Sequence, residues 1–308
     1  MCIGSGALAA TVSPNATGFA LGDNGGTLLT IPDLNAPGVA AGTALTKSTG
    51  GGLSLSALAY RPQTGQMYGY SDQDDTVYLL DVDTGVGTAQ ATEANATNVE
   101  TLGFDFNNQV DAARILTTAD RNYVFDPKVA PPTLTRVTDL FYVAGDLNEG
   151  SDPNIIGNAY TNAVPDASTT LQFGLDSQQD VLTTVGNNAG TLTTVGQLFF
   201  EGAPLDIGTD GGFDILSFAE GDNTALAILT AITPTFAGQG LFLLPLMADV
   251  DGRINVELVG ATSRDFGTLD GFAVAPNTSA VPVPASLPLF LSAMVGLGLM
   301  GRRRKRAA

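Results

Sequence analysis

The 308-residue chain contains no histidine and no tryptophan, and its single cysteine is Cys2. Without histidine there is no Ser-His-Asp catalysis, no imidazole acid–base chemistry and no His-ligated zinc or iron. Without tryptophan a major stacking platform for sugars is missing. One cysteine excludes an intrachain disulfide, which a body of this size can do without because its core is large enough. Basic residues are also scarce, 13 Lys+Arg against 31 Asp+Glu, for a net charge of −18. That balance argues against nucleic acid and anionic lipid headgroups as partners. It suits solubility, cation binding or a saline exterior. Helix signals are few before residue 286.

What basic charge there is gathers at one place. Arg302, Arg303, Arg304, Lys305 and Arg306 take five of the 13, leaving 8 basic against 31 acidic residues elsewhere, a net of −23. Residues 286–301 (SLPLFLSAMVGLGLMG) just before them carry no charge. Such a span, at about 1.5 Å rise per residue, approaches the roughly 20 residues that cross a bilayer. Flanking cations stay on the cytoplasmic side, so the expectation is one C-terminal transmembrane helix at 286–301, a basic cytoplasmic tail at 302–308 and a body outside. Upstream, Val281, Pro282, Val283, Pro284 and Ala285 form a stiff extended segment that a helix cannot easily enter. A proline signature, an apolar span and an Arg-rich end together resemble the C-terminal sorting tails of Gram-negative bacteria known as the PEP-CTERM class. VPVPASLP is similar to the Val-Pro-Leu-Pro-Ala subgroup, with Val283 where that subgroup has Leu. The resemblance implies recognition by an exosortase-type processing enzyme, export, and initial anchoring in the inner membrane before presentation on the envelope or release. The opposite end, with no basic residue before its Ala-rich stretch, reads either as a truncated start or as a signal remnant over 1–17.

The body, 18–275, leads to a linker and sorting signature at 276–285. It alternates short β-type runs with Gly/Asp/Asn clusters: 55–60, 77–82, 101–106, 114–116, 123–126, 171–175, 191–195, 212–218, 241–246 and 254–259. That spacing marks an all-β chain. Some pieces recur. Phe-Ala-x-Gly-Asp-Asn opens at both Phe19 and Phe218. A Gly-Phe strand appears in Leu102-Gly-Phe-Asp-Phe106, Gly211-Gly-Phe-Asp-Ile215 and Asp270-Gly-Phe-Ala-Val274, with Leu55-Ser-Ala-Leu-Ala-Tyr60 in the equivalent place of its own unit. Units of roughly 40–50 residues with such strands predict a β-propeller of about five or six blades. Gly103, Gly212 and Gly271 would allow close approach near a central channel, with Phe104, Phe213 and Phe272 packed between blades. A β-sandwich is the alternative, because the repeats are degenerate and 138–185 is hard to frame.

Leu58-Ala-Tyr-Arg-Pro-Gln-Thr-Gly-Gln-Met-Tyr-Gly69, Gly103-Phe-Asp-Phe-Asn107 with Asp111 and Arg114, Ala159-Tyr-Thr-Asn162 and Gly190-Thr-Leu-Thr-Thr-Val-Gly196 carry a second resemblance. Over most of 19–275 the chain is similar to a bacterial domain-of-unknown-function family, number 4394 of that series. Its members are mostly secreted and often surface-anchored. The resemblance implies a fold and a location, and no activity.

Asp-rich turns are the one constellation with chemical potential. Asp146, Asn148 and Asp152, and likewise Asp249 and Asp251, set oxygens at alternate positions beside a glycine, as a calcium loop does. Neither run ends in the bidentate Glu that completes such a loop, and Asp, Asn and Gly are also plain turn formers. Calcium is thus the one cofactor the residues could take. Asp105 and Asp214, each following a repeated Gly-Phe, could face one central opening as a carboxylate pair; bonding to the backbone is the plainer expectation for both. Arg61 and Arg114 read as structural ion-pair partners. Asn15-Ala-Thr17, Asn95-Ala-Thr97 and Asn277-Thr-Ser279 match the N-glycosylation pattern, which is accidental in a bacterial chain. The expectation is a non-enzymatic envelope or extracellular-matrix protein. The alternative is a module for carbohydrate, extracellular polysaccharide or another small ligand, with or without calcium. A carboxylate-based hydrolase stands third.

Overall fold

The structure, a computed structural model, describes residues 11–93, 101–233 and 235–277. The sorting signature at 281–285, the apolar span at 286–301, the basic cluster at 302–306, Cys2 and the Asn95 glycosylation pattern lie outside the described residues. By its contacts the chain divides into Met1–Pro276 and Asn277–Ala308, and every described strand belongs to the first unit of that division. Among the described residues no helix is long and apolar enough to cross a membrane.

The body is all-β, with one short 3-10 turn at Asn187–Ala189. Its strands form four hydrogen-bonded sheets, of four, five, four and ten strands; with the ten-stranded sheet taken as two halves joined by one parallel pairing, the main strands fall into five antiparallel groups, called sheets one to five below. The first holds β1 (Ala16–Gly22), β2 (Thr27–Ile31) and β3 (Ala41–Ala44), and a two-residue β4 (Thr46–Lys47) leads out of it. The second is β5 (Ala57–Arg61), β6 (Gln66–Ser71), β7 (Thr76–Asp81) and β8 (Val86–Thr92). The third is β9 (Thr101–Asn107), β10 (Ala112–Thr117), β11 (Asn122–Asp126) and β12 (Thr133–Arg136), followed by the short β13 (Phe141–Tyr142). The fourth is β14 (Ile155–Tyr160), β15 (Gln172–Asp176), β16 (Val181–Val185) and β17 (Thr191–Phe200), followed by β18 (Ala203–Pro204). The fifth is β19 (Ile207–Ser217), β20 (Asn223–Ile232), β21 (Ala237–Leu244) and β22 (Arg253–Ala261), and it joins the fourth through a parallel β17–β22 pairing. The last strand, β23 (Asp270–Pro276), returns to β1 in the register Phe19↔Ala273, so both ends of the body build the first sheet.

Each sheet offers its leading strand to the next. β5 packs on β9, β9 on β14, β14 on β19, β19 on β23, and β23 on β5, so the five leading strands make a closed ring. A ring buries both faces of every sheet, which a lone four-stranded sheet cannot do. The arrangement is propeller-like. It is not two facing layers, and the sandwich alternative falls.

The leading strands are close enough to require glycine. A Cβ on Gly212 would sit 2.4 Å from the Phe272 backbone nitrogen, and one on Gly103 would sit 2.4 Å from Asn158 Oδ1. The phenylalanines beside them fill the seams: Phe104 joins Tyr68, Phe106 and Phe125 between the second and third sheets. Phe213 packs between the fourth and fifth, and Phe272 between the fifth and first. Leu21, Leu58 and Tyr78 belong to the seam between the first and second. Each such ring or branched side chain removed from water contributes about 1.5–3 kcal/mol. The seam between third and fourth sheets is thinner, built on Leu116, Leu140, Tyr142, Ile155, Val185 and Leu192.

One repeat misled. Phe19 to Asn24 ends β1 and opens the turn into β2, a second-to-third-strand turn, whereas Phe218 to Asn223 lies between the first and second strands of its sheet. The shared letters are turn chemistry at non-equivalent places: Asp23 and Asn24 both take φ 54°, while Gly221 takes φ 83°.

Candidate functional site

Asp105 and Asp214 occupy the same position in β9 and β19, and both are buried. Asp105 accepts from the Phe106 backbone N–H at 2.7 Å and from Tyr160 N–H, on the next leading strand, at 2.6 Å. Asp214 repeats the pattern with Ile215 N–H and Val274 N–H, both at 2.7 Å. All four carboxylate oxygens are thereby committed to backbone N–H groups, one of each pair within its own strand and the other across a joint of the ring. Burial, then the charge of Asp214, holds the Asp105 carboxyl well above its usual range, and burial pushes Asp214 up to about 7.

Arg61 and Asp111 form a second joint. The guanidinium donates from Nε to Asp111 Oδ1 at 2.7 Å and from Nη2 to Oδ2 at 2.5 Å. It also lies 5.9 Å from the Phe106 ring centre. This two-point pair ties the end of β5 to the turn between β9 and β10, as expected for an ion-pair partner. Arg114 is different: it reaches Asn122 Oδ1 at 2.9 Å and Asn188 Oδ1 at 2.7 Å, amide oxygens, and forms no ion pair among the described residues.

The calcium candidates sit in hydrogen-bonded turns. Asp146 accepts from Asn148 N–H at 2.9 Å and from Thr194 N–H and Oγ1, both at 2.7 Å. Asn148 itself donates to Thr194 Oγ1. Asp249 accepts from Asp251 N–H at 2.8 Å, Arg253 N–H at 3.0 Å and Asn255 Nδ2 at 2.8 Å. Hydrogen bonds from these partners outweigh the cost of burial and hold both Asp146 and Asp249 below the usual carboxylate range. Asp152 instead shares a cavity wall with Asp120, whose carboxyl is pushed up to about 7 by burial and by the charge of Asp152. Among the described residues, no three His, Cys, Asp or Glu side chains gather as a metal cage.

Two cavities stand out among the described residues. The larger, about 450 Å³, opens beside Asp120 and Asp152 and is walled by Leu140, Phe141, Tyr142 and Pro153. The other, about 340 Å³, lies where leading strands enter the ring. Three carboxylates face it from three different sheets: Asp270 at the start of β23, Asp72 in the β6–β7 turn and Asp210 in β19. Ser54, Ser56 and Thr209 add hydroxyls, Asn24 and Gln73 add amides, and Leu55 is the one apolar member. Its walls are braced. Ser54 Oγ donates to Asn24 O at 2.8 Å, Leu55 N–H to Gly25 O at 3.0 Å, and a Cβ on Gly25 would fall 2.0 Å from Leu55 O. The neighbouring acids are already used: Asp74 pairs with Lys47 at 2.6 Å and Asp75 accepts from Tyr70 OH at 3.1 Å. Asp72 and Asp210 form no side-chain hydrogen bond or ion pair among the described residues.

The other end of the ring is strapped by the connection at 161–171. Its Asp166 N–H donates to Gln63 Oε1 of the second sheet, its Ser168 O accepts from Gln109 of the third, and its Asn162 N–H donates to Asn223 Oδ1 of the fifth. A chain segment from the fourth sheet thus ties three others together.

A family profile described as Domain of unknown function (DUF4394) matches residues 28–246. The chain belongs to this family. None of the curated proteins compared with it matches. Among solved structures, a virginiamycin B lyase from Staphylococcus aureus aligns at 11% identity and TM-score 0.41, over 81% of this chain and 72% of that one. The Dos1 propeller aligns at 11% and 0.42, over 80% and 61%. An auxiliary nutrient binding protein from Bacteroides ovatus aligns at 13% and 0.36, over 58% of this chain and 46% of that one. The chain thus spans about half the length of that binding protein. Likenesses at this level bear on neither ligand nor activity.

Within the DUF4394 body, the motif residues singled out by sequence are joints: Arg61 and Asp111 clamp two sheets, and Asn162 belongs to the strap. Residues of the entry cavity were flagged only piecemeal, Leu55 and Ser56 in a β-type run and Asp270 in a Gly-Phe strand, and never as one site. Asn24 and Asp270, two of its lining residues, fall outside the matched 28–246.

Proposed function

We propose that this DUF4394 chain is an exported, non-enzymatic protein of the bacterial envelope or extracellular matrix. Its body reads as a five-bladed propeller that binds a small polar ligand or a carbohydrate at the strand-entry cavity. The observation that carries this reading is the cavity: about 340 Å³, braced, polar, and assembled from three sheets. Its size lies within the roughly 300–1,000 Å³ range of small-ligand sites. Absence of turnover is supported by the carboxylates. Asp105 and Asp214 spend every oxygen on backbone N–H groups.

Export rests on the sequence of the tail: the signature at 281–285, the apolar span at 286–301 and the cations at 302–306. An exosortase-type enzyme would act there, and extracellular polysaccharide is the partner at hand outside the cell. Two experiments test the reading. On an array of neutral, acidic and amino-sugar glycans the purified body binds a saturable subset, and Thr209→Trp, which fills the cavity mouth, weakens that binding at least tenfold. A blank array, or binding indifferent to Thr209→Trp, removes the cavity from consideration. The intact mass of the mature protein from envelope and medium ends near 281–285; a mass retaining Arg302 to Arg306 contradicts processing.

A further inference from the structure

Four of the five joints between neighbouring sheets close on a bulky apolar side chain from a leading strand. Leu58, Phe104, Phe213 and Phe272 hold that place in β5, β9, β19 and β23, each directly after Ala or Gly. In β14 the place falls to Asn158, after Gly157. Asn158 is fully buried at the joint between the third and fourth sheets, and its Oδ1 occupies the space that a Cβ on Gly103 would need. Neither its Oδ1 nor its Nδ2 has a hydrogen-bond partner among the described residues. A buried amide in that position is costly unless water completes its bonding.

The surroundings of Asn158 are of the same kind. Arg114, 5% exposed, gives Nη1 and Nη2 to amide oxygens and leaves Nε without a partner among the described residues. Gln172, paired with Tyr160 in the ladder, leaves Nε2 in the same condition. Water both donates and accepts, so it can serve amide and guanidinium alike. The apolar part of this joint is also the smallest, with six buried residues against eleven to nineteen at the others among the described residues. Much of what bridges it is polar: Arg114 to Asn188, Asn122 Nδ2 to Asn187 O at 2.8 Å, and Tyr160 N–H to Asp105. Water can replace such bonds when two sheets part, whereas it cannot replace apolar packing. The joint between fourth and fifth sheets is the opposite case, with the largest apolar cluster and the β17–β22 pairing across it.

We infer that the joint between the third and fourth sheets holds ordered water at Asn158 and is where the ring opens, as one local unit, while the other four joints stay closed. Opening would bring Arg114 and Tyr160 into contact with solvent. This device is independent of what the entry cavity binds.

Two backbone amides of the full chain make a matched pair for hydrogen exchange. Tyr160 N–H and Val274 N–H each donate to a buried Asp side chain across a joint, at 2.6 Å and 2.7 Å, the first between third and fourth sheets and the second between fifth and first. Corrected for intrinsic rates, Tyr160 is expected to exchange at least tenfold faster than Val274, with a weaker dependence on added urea, because a local opening exposes less surface than global unfolding. Equal rates, or slower exchange at Tyr160, overturn the proposal. Asn158→Leu puts an apolar side chain where the other joints have one, and it is expected to slow Tyr160 exchange at least tenfold and narrow the gap to Val274. Unchanged or faster exchange at Tyr160 in this variant overturns the role given to Asn158. High-resolution diffraction gives a reading that needs no variant: ordered water bonded to the Asn158 amide is expected, and a dry joint contradicts the inference.

Discussion

Asp105 and Asp214 show how far one side chain can be committed by its place in a strand. Each stands two residues after a glycine that lets the next leading strand approach, and each reaches across to that strand's N–H. The joint comes with a titration. Burial raises Asp214 to about 7 in the folded protein, above an unfolded value near 3.8. The folded state then holds its proton more tightly than the unfolded one. The contribution is complete below about pH 4 and is lost as pH rises through about 7. Asp214→Asn keeps the shape, sacrifices one N–H contact at a cost of about 1–3 kcal/mol, and no longer titrates. In urea unfolding, the stability advantage of the natural protein over Asp214→Asn narrows between pH 4 and pH 8. A gap that stays constant or widens contradicts the buried, protonated carboxyl.

At the scale of the strand, glycine decides the spacing. Gly212 faces the Phe272 backbone, which cannot swing aside, whereas Gly103 faces the tip of the Asn158 side chain. Overpacking costs about 1–3 kcal/mol, so Gly212→Ala destabilises the body more than Gly103→Ala; denaturant midpoints check this, and equal losses would contradict it. These strands were legible in sequence because an inner position demands a small residue next to a seam-filling ring, and Gly-Phe writes both demands in adjacent letters. β14 meets the same demand as Gly157-Asn158, without the phenylalanine, and enters after a long connection from Tyr142; that is why the fourth sheet could not be framed. The Phe-Ala-x-Gly-Asp-Asn repeat failed for the opposite reason. Turn chemistry is local, and Asp-Asn or Gly satisfies any tight turn wherever it falls. The alternate Asp and Asn oxygens at Asp146 and Asp249 obey the same local chemistry, since they serve an Asx turn as readily as an ion.

For the whole molecule, the closed ring creates what no segment contains. Asn24, Ser54, Asp72, Asp210 and Asp270 are far apart in the chain and meet only because β23 returns to β1 and the leading strands close on themselves. No spacing rule could have united them, whereas Arg61 and Asp111 at least sat in recognisable motifs. The ring also separates two ends: one carries the open, acidic cavity, and the other is strapped by 161–171. The most direct test is amide hydrogen exchange of the body with and without a saturating amount of the tightest-binding glycan from the array. Slowed exchange confined to Asn24, 54–56, 72–73, 209–210 and Asp270 is the predicted result. Protection around Asp120 and 140–153 instead, or none at saturation, would contradict the account.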